Sequence, residues 1–180
     1  MKILASLLTF IFALSLTSAL TINVNTTGYE VLNNFTLSNN SIQDAVSNSS
    51  QGDTILISEG NYTTQLFINK SLSIIGSGWD KTKIISPENA HSLSGNSGAI
   101  VSGVLIYSPN YSNPSIDVLF GNLTISGATN NTTGIFIYSA NATIDSTYIT
   151  NYSNSLMIDR LYTENMNVNV SLVNSYLDYY

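Results

Sequence analysis

Phe120-Gly121-Asn122-Leu123-Thr124-Ile125-Ser126-Gly127 aligns with Ile144-Asp145-Ser146-Thr147-Tyr148-Ile149-Thr150-Asn151, 24 positions on. That stretch aligns in turn with Leu172-Val173-Asn174-Ser175-Tyr176-Leu177-Asp178-Tyr179, 28 positions further. The shared pattern is an apolar residue, any residue, Asn or Ser, two residues, an apolar residue, any residue, and usually Gly or Asn. Periods in the twenties mark chains built by stacking one small unit on the next.

Working outward, the same kind of segment recurs along the chain. Thr54-Ile55-Leu56-Ile57, Leu66-Phe67-Ile68, Leu72-Ser73-Ile74, Lys83-Ile84-Ile85, Val104-Leu105-Ile106, Ile135-Phe136-Ile137 and Leu156-Met157-Ile158 are short apolar alternations separated by Gly, Asn and Ser. Each is read as a strand of three to five residues, shorter than the roughly 5–6 residues usual in sandwiches. A leucine-rich repeat would need a regular Leu ladder with a fixed Asn, which is absent. A parallel β-helix fits, because strands stack coil on coil and insertions leave at the turns. The gaps from Ser86 to Ala99 and from Ser108 to Ser115 then read as projecting loops. One helix is expected before the coils, over residues 41–49. Ser41 is its cap, Asp44 stands in the capping-box position, and Ile42, Ala45 and Val46 share one face.

Ser41-Ile42-Gln43-Asp44-Ala45-Val46, Gly52-Asp53-Thr54-Ile55-Leu56-Ile57, Glu59-Gly60-Asn61-Tyr62 and Lys70-Ser71-Leu72-Ser73-Ile74-Ile75-Gly76-Ser77-Gly78 together resemble the opening of pectin-lyase-like proteins. These form the superfamily of right-handed parallel β-helices. In flavour the closest members are NosD-like and archaeal adhesin-like surface proteins. The resemblance covers most of residues 41–179. It implies an all-β, right-handed, single-stranded parallel β-helix with an N-terminal capping helix. It says little about activity, since the superfamily holds lyases, hydrolases, esterases and chains with no known activity.

The N-terminus carries an export signal. Lys2 precedes an apolar run from Ile3 to Leu16, and Thr17-Ser18-Ala19 places small residues for cleavage after Ala19. The run falls short of the roughly 20 residues that span a bilayer, and no later segment reaches that length. The expected organisation is therefore a signal peptide at 1–19, an extension at 20–40 and the β-helix at 41–180. The last residues read as a repeat strand with no cap. The chain either associates with itself through that end or is truncated there. Export without any Cys leans towards a prokaryotic source, because eukaryotic secreted domains commonly carry disulfides, and the resemblance to archaeal adhesin-like proteins implies an archaeal one.

Charge excludes one partner class. Only five Lys and Arg face eleven Asp and Glu, and the basic residues are scattered, so no cluster exists to neutralise phosphates. Nucleic acid is not expected.

Catalytic constellations are sparse. Pectate lyases pair acidic calcium ligands with a basic residue, but Arg160 is the only Arg and has no partner motif. Hydrolases of this superfamily use clustered aspartates and a His-Gly element, whereas His91 is followed by Ser92. Asp117, Asp145, Asp159 and Asp178 could converge through stacking, but Asp145 aligns with Gly121 and Val173, so the acid does not propagate. No catalytic residue, cofactor or metal site is assigned.

Asparagine gives the strongest chemical signal. Thirteen residues stand in N-x-S/T sequons: Asn25, Asn34, Asn39, Asn48, Asn61, Asn69, Asn110, Asn122, Asn130, Asn131, Asn141, Asn151 and Asn169. Roughly six would arise by chance at this composition, so the excess favours N-glycosylation. Tyr138, Tyr148, Tyr152, Tyr162 and Tyr176 are candidates for a sugar-stacking face. The leading expectation is a non-catalytic, secreted or cell-surface glycoprotein of adhesin or envelope type, its partner a carbohydrate or envelope polymer. The alternatives are a polysaccharide lyase or glycoside hydrolase, and a carbohydrate-binding module.

Overall fold

The computed structural model describes residues 18–88, 92–95, 98–109, 116–127, 133–159 and 168–179. The elements run β1 (Thr21–Asn25), β2 (Gly28–Val31), β3 (Asn34–Leu37), α1 (Ser41–Asn48), β4 (Thr54–Ile57), β5 (Gly60–Thr63), β6 (Leu66–Ile68), β7 (Leu72–Gly76) and β8 (Thr82–Ile85). They continue as β9 (Ser92–Gly95), β10 (Gly98–Tyr107), β11 (Asp117–Ser126), β12 (Thr133–Tyr138), β13 (Asn141–Tyr152), β14 (Asn154–Asp159), β15 (Val170–Val173) and β16 (Tyr176–Tyr179). The chain is mostly strand, its strands pair mainly in parallel, and the fold is β-helix-like and all-β.

Three inward columns of side chains build the core. Strands present alternate residues to opposite faces, so a register kept from coil to coil stacks like on like. Ile22, Ile55, Ile74, Phe120, Ile144 and Leu172 are successive partners in one column. Tyr62, Ile84, Ile125, Ile149 and Leu177 form the second. Leu66, Val104, Ile135 and Leu156 form the third. Most of these side chains are fully buried, while Leu172 at the outermost rung is 46 % exposed. The pairings Phe120↔Ile144 and Ile144↔Leu172 reproduce the 24- and 28-residue repeat read from the sequence.

Several local readings change. The strands are not all three to five residues long: β11 has 10 and β13 has 12. They are longer because each turns a corner without leaving the sheet. Asn122 (φ 58), Ser146 (φ 47) and Asn174 (φ 49) occupy the same place in successive coils and adopt the left-handed conformation. That conformation is costly for most L-residues and mildest for Gly, Asn and Asp. The "Asn or Ser" of the repeat is thus the corner residue, and the Asn122 amide donates to Gly76 O in the adjacent coil (2.9 Å). The stretch from Ser86 to Ala99 also holds more than a loop. β9 pairs antiparallel with the start of β10, Leu93 opposite Ile100, as a hairpin that leaves the coil and needs no repeat.

Residues 20–40, set apart as an extension in the sequence, pack against the coils. β1 pairs in parallel with β4 and buries Ile22 and Val24. β2 and β3 add on antiparallel, through a two-residue turn at Leu32 (φ 50) and Asn33 (φ 64). Helix α1 buries Ile42, Ala45 and Val46, as its apolar face requires, and lies against β1, β2, β4 and β6. Its N-cap is Asn40 and not Ser41, and Asn40 makes no side-chain capping bond. Ser38 instead braces the approach to the helix, donating to the Asp44 carboxylate and accepting from Asn40 N. At the other end the Lys70 ammonium donates to the carbonyls of Ser49 (2.8 Å) and Ser47 (3.3 Å), where a cation suits the helix dipole.

Candidate functional site

The coils present two outward features. The first is aromatic. Lys83, Thr124, Tyr148 and Tyr176 are successive partners on β8, β11, β13 and β16, so their side chains rise in one column on the outer face. Trp79 joins them from the tight turn between β7 and β8. That turn is held by Gly78 N donating to Asn122 O and Thr82 N donating to Gly78 O. The Thr124 hydroxyl donates to Trp79 O (2.6 Å) and fixes the Trp backbone over the column. The Trp79 and Tyr148 rings meet edge-on at 6.4 Å, and Tyr148 and Tyr176 lie 5.2 Å apart, tilted by 31°. Trp79 and Tyr176 are 60 % and 61 % exposed. Three adjoining rings at the surface are unusual, because exposed aromatics cost solvation unless something covers them. Asp178 borders the strip, with its carboxylate 3.3 Å from the Tyr148 hydroxyl and 3.5 Å from the Thr150 hydroxyl.

The second feature is a polar ladder at the start of the first leg of each coil. Asp117 N donates to the Ser71 hydroxyl (3.0 Å), the Asn141 amide donates to Asp117 Oδ1 (3.0 Å), and Asn169 N donates to Asn141 Oδ1 (2.9 Å). A shallow groove of about 370 Å³ lies beside it, lined by Asp117, Asn141, Thr143, Asn169 and Ser171 among others.

The sequence-read acids are not assembled together. Asp117 sits on the ladder opposite Asn141, Asp145 stands between Gly121 and Val173, Asp159 pairs with Tyr138, and Asp178 borders the aromatic strip. Each has a neutral partner in the neighbouring coil. Arg160, His91 and Tyr162 lie outside the described residues, as do Asn110, Asn130 and Asn131. Of the tyrosines proposed for sugar stacking, Tyr148 and Tyr176 are brought together. Tyr138 belongs to the other sheet, its ring 6.0 Å from Phe136.

Tyr152 is a core residue, 2 % exposed. Its hydroxyl shares a 2.5 Å hydrogen bond with Ser86, and burial pushes its pKa up to about 12. Burial raises Tyr62 as well. Room for the Tyr152 ring comes from Gly103 and Gly134. A Cβ on Gly103 would lie 2.4 Å from the Tyr152 hydroxyl, and one on Gly134 would lie 3.1 Å from the ring. Trp79 was missed in the sequence because it lies in a turn, outside every repeat. Its signal was being the single Trp of the chain, next to the turn-forming Gly76-Ser77-Gly78.

These features define a β-helix-like, all-β chain with an outward aromatic strip, and the solved structures agree on the fold. The chain is similar to a pectin methylesterase mutant solved in complex with a hexasaccharide, at 16 % identity and a TM-score of 0.53. The match covers 76 % of this chain and 44 % of the esterase, so the chain spans less than half of that protein's length. No protein-family model and no curated protein matches the sequence.

Proposed function

We propose that this chain is an exported, non-catalytic surface glycoprotein, a right-handed parallel β-helix capped by α1, whose aromatic strip binds polysaccharide. The observation that carries this reading is the surface run of exposed Trp79 and Tyr176 with half-buried Tyr148 between them. Aromatic faces stack on the apolar faces of sugar rings, and the three rings follow one another at 6.4 and 5.2 Å. A linear polymer lying along the coil axis would meet them in turn. The hexasaccharide bound by the similar esterase agrees with a carbohydrate ligand. Asp178 beside Tyr148, with a net charge of −6, favours a neutral glycan over a polyuronate. The apolar segment at Ile3 to Leu16 and the sequon excess support export.

The test is retention of the mature chain on cellulose, chitin, neutral glucans and polygalacturonate, beside a Trp79→Ala/Tyr148→Ala/Tyr176→Ala triple variant. The wild type should bind a neutral polymer and the variant should not, with both folded and unfolding cooperatively under the binding conditions. Equal retention of both forms defeats the strip. Methanol release from methyl-esterified pectin would replace this reading with an esterase.

A further inference from the structure

The ten sequons among the described residues are not equivalent once folded, and the difference lies in what holds each amide nitrogen. The Asn48 Nδ2 spends its two hydrogens on the Tyr29 hydroxyl (3.0 Å) and Asp44 O (2.8 Å). Asn122 points Nδ2 at Gly76 O from a left-handed corner. That corner is tight: a Cβ on Gly76 would lie 2.5 Å from Asn122 O. Asn141 is held between coils by Asp117 and Asn169. Asn151 donates to the Ser126 hydroxyl (3.1 Å), and its carbonyl would lie 2.0 Å from a Cβ on Gly127.

The remaining described sequons are open. Asn25 accepts through Oδ1 from Thr27 N (2.9 Å), Gly28 N (3.0 Å) and the Thr27 hydroxyl (2.8 Å), the third residue of its own sequon. This fixes the carboxamide and leaves Nδ2 facing solvent. Asn34, Asn39, Asn61 and Asn169 are exposed, and no described partner engages their amides. Asn69 is exposed, and its 3.4 Å contact with the Tyr107 hydroxyl is too long to hold it.

We propose that the folded protein carries N-glycans on Asn25, Asn34, Asn39, Asn61, Asn69 and Asn169, while Asn48, Asn122, Asn141 and Asn151 stay unmodified. The step joins Nδ2 to the anomeric carbon of a lipid-phosphate-linked oligosaccharide. The anomeric C–O bond to phosphate breaks, one amide proton is lost, and the lipid phosphate leaves. A glycan on Asn122, Asn141 or Asn151 would displace a hydrogen bond between coils, and one on Asn48 would displace the bond that ties α1 to Tyr29, so a chain modified there does not complete the fold although Asn48 and Asn151 are themselves exposed. The open sites are not spread evenly. Asn25, Asn34 and Asn39 belong to the β1–β3 hairpins and the approach to α1, and Asn39 and Asn61 line the same small cavity. Asn61 is in register with Lys83, Thr124 and Tyr148, three coils and so about 14 Å from Tyr148. Asn25, Asn34, Asn39, Asn61 and Asn69 therefore gather at the α1 end, Asn169 stands on the polar ladder of the outermost coil, and none of the six lies on the aromatic strip. This inference rests on export, but not on polysaccharide binding.

The full chain is expressed in a secreting host that N-glycosylates, and the soluble secreted pool is site-mapped by mass spectrometry after enzymatic removal of glycans in heavy-oxygen water. If the native leader fails, the same map is made on residues 20–180 behind a foreign leader, which separates failed export from a failed pattern. High occupancy at the six open sites and none at the four closed ones is expected. Asn25→Gln should remove one glycan mass, and Asn122→Asp, which tolerates the corner, should remove none. Occupancy at Asn48 or Asn122 matching that at Asn25, or a secreted chain bare at the six sites, overturns the proposal.

Discussion

Tyr148 and Tyr152 lie four residues apart on the same strand and do opposite things. Tyr148 faces outward between Trp79 and Tyr176, while Tyr152 is buried among Ser86, Gly103 and Gly134. Simple alternation would put both on the same face, because residues an even number apart share a side of a strand. Asn151 breaks the rule. Its left-handed backbone (φ 62) turns the chain a second time within β13, and the side chain after it enters the core. A one-residue change of phase moves everything beyond it to the other face. The outer ring is thus available for a ligand because the inner ring fills the coil.

The largest test of this contrast removes each ring. Tyr152→Ala should lower unfolding stability by about 3–5 kcal/mol, the usual cost of deleting a large buried aromatic. Tyr148→Ala should cost less, about 1–2 kcal/mol, since the side chain is only partly buried and loses its ring contacts and its bond to Asp178. Urea denaturation followed by circular dichroism measures both. Equal losses would mean that the two tyrosines are not on opposite sides of the sheet.

Alkaline titration separates them next. A tyrosine whose folded pKa is raised keeps its proton after the unfolded chain has lost it. Between pH 10 and about 12 the native state therefore binds more protons than the unfolded state, and stability falls as pH rises. The contribution of Tyr152 is complete below pH 10 and gone above about 12, a loss of about 2–3 kcal/mol for a shift of that size. Tyr62 adds to the same slope. Tyr152→Phe should flatten most of this slope, at a neutral-pH cost of about 1–2 kcal/mol for leaving the Ser86 hydroxyl unpaired. Stability measured at pH 9 and pH 12 in the two proteins decides it.

On the outer side, Tyr148→Ala should weaken binding of whichever neutral polymer the chain retains by about tenfold, or roughly 1.4 kcal/mol. Trp79→Ala should do at least as much, since it is the largest exposed ring. Tyr152→Phe should leave binding unchanged. Affinity electrophoresis through polymer-loaded gels reads all three, and a Tyr152→Phe effect as large as that of Tyr148→Ala would place the ligand elsewhere.

Much of the fold was legible because stacking imposes a repeat on sequence. Phe120, Ile144 and Leu172 share a position in the pattern and share a column in the structure. The corners were visible as Asn or Ser without being understood, since a single left-handed residue inside a continuous strand looks like a strand end. β1 was not separated in the sequence from the 20–40 extension, because nothing local says that its partner is β4. The aromatic site was half legible. Tyr148 and Tyr176 share a repeat position, but Trp79 comes from a turn, and the difference between Tyr148 and Tyr152 depends on one backbone torsion at Asn151 that composition does not encode.

The smallest effect tests the left-handed positions themselves. Asn151 and Leu32 both have positive φ (62 and 50), but only Asn is suited to it. Leu32 sits at the first turn position between β2 and β3, where this type of hairpin ordinarily takes Asn, Asp or Gly, and its side chain is 69 % exposed. It gains little from burial, and an L-side chain there costs roughly 1–2 kcal/mol. Leu32→Gly removes that strain but frees the unfolded backbone, which offsets part of the gain. A net stabilisation of up to about 1 kcal/mol is expected. Asn151→Ala should move the other way, losing the Ser126 hydrogen bond and introducing the strain that Leu32 already carries. Opposite signs from the two substitutions, read as shifts in the urea midpoint, would show that the left-handed torsion is strained at Leu32 and suited to the residue at Asn151. A destabilised Leu32→Gly would mean that the exposed leucine is held by contacts beyond the hairpin.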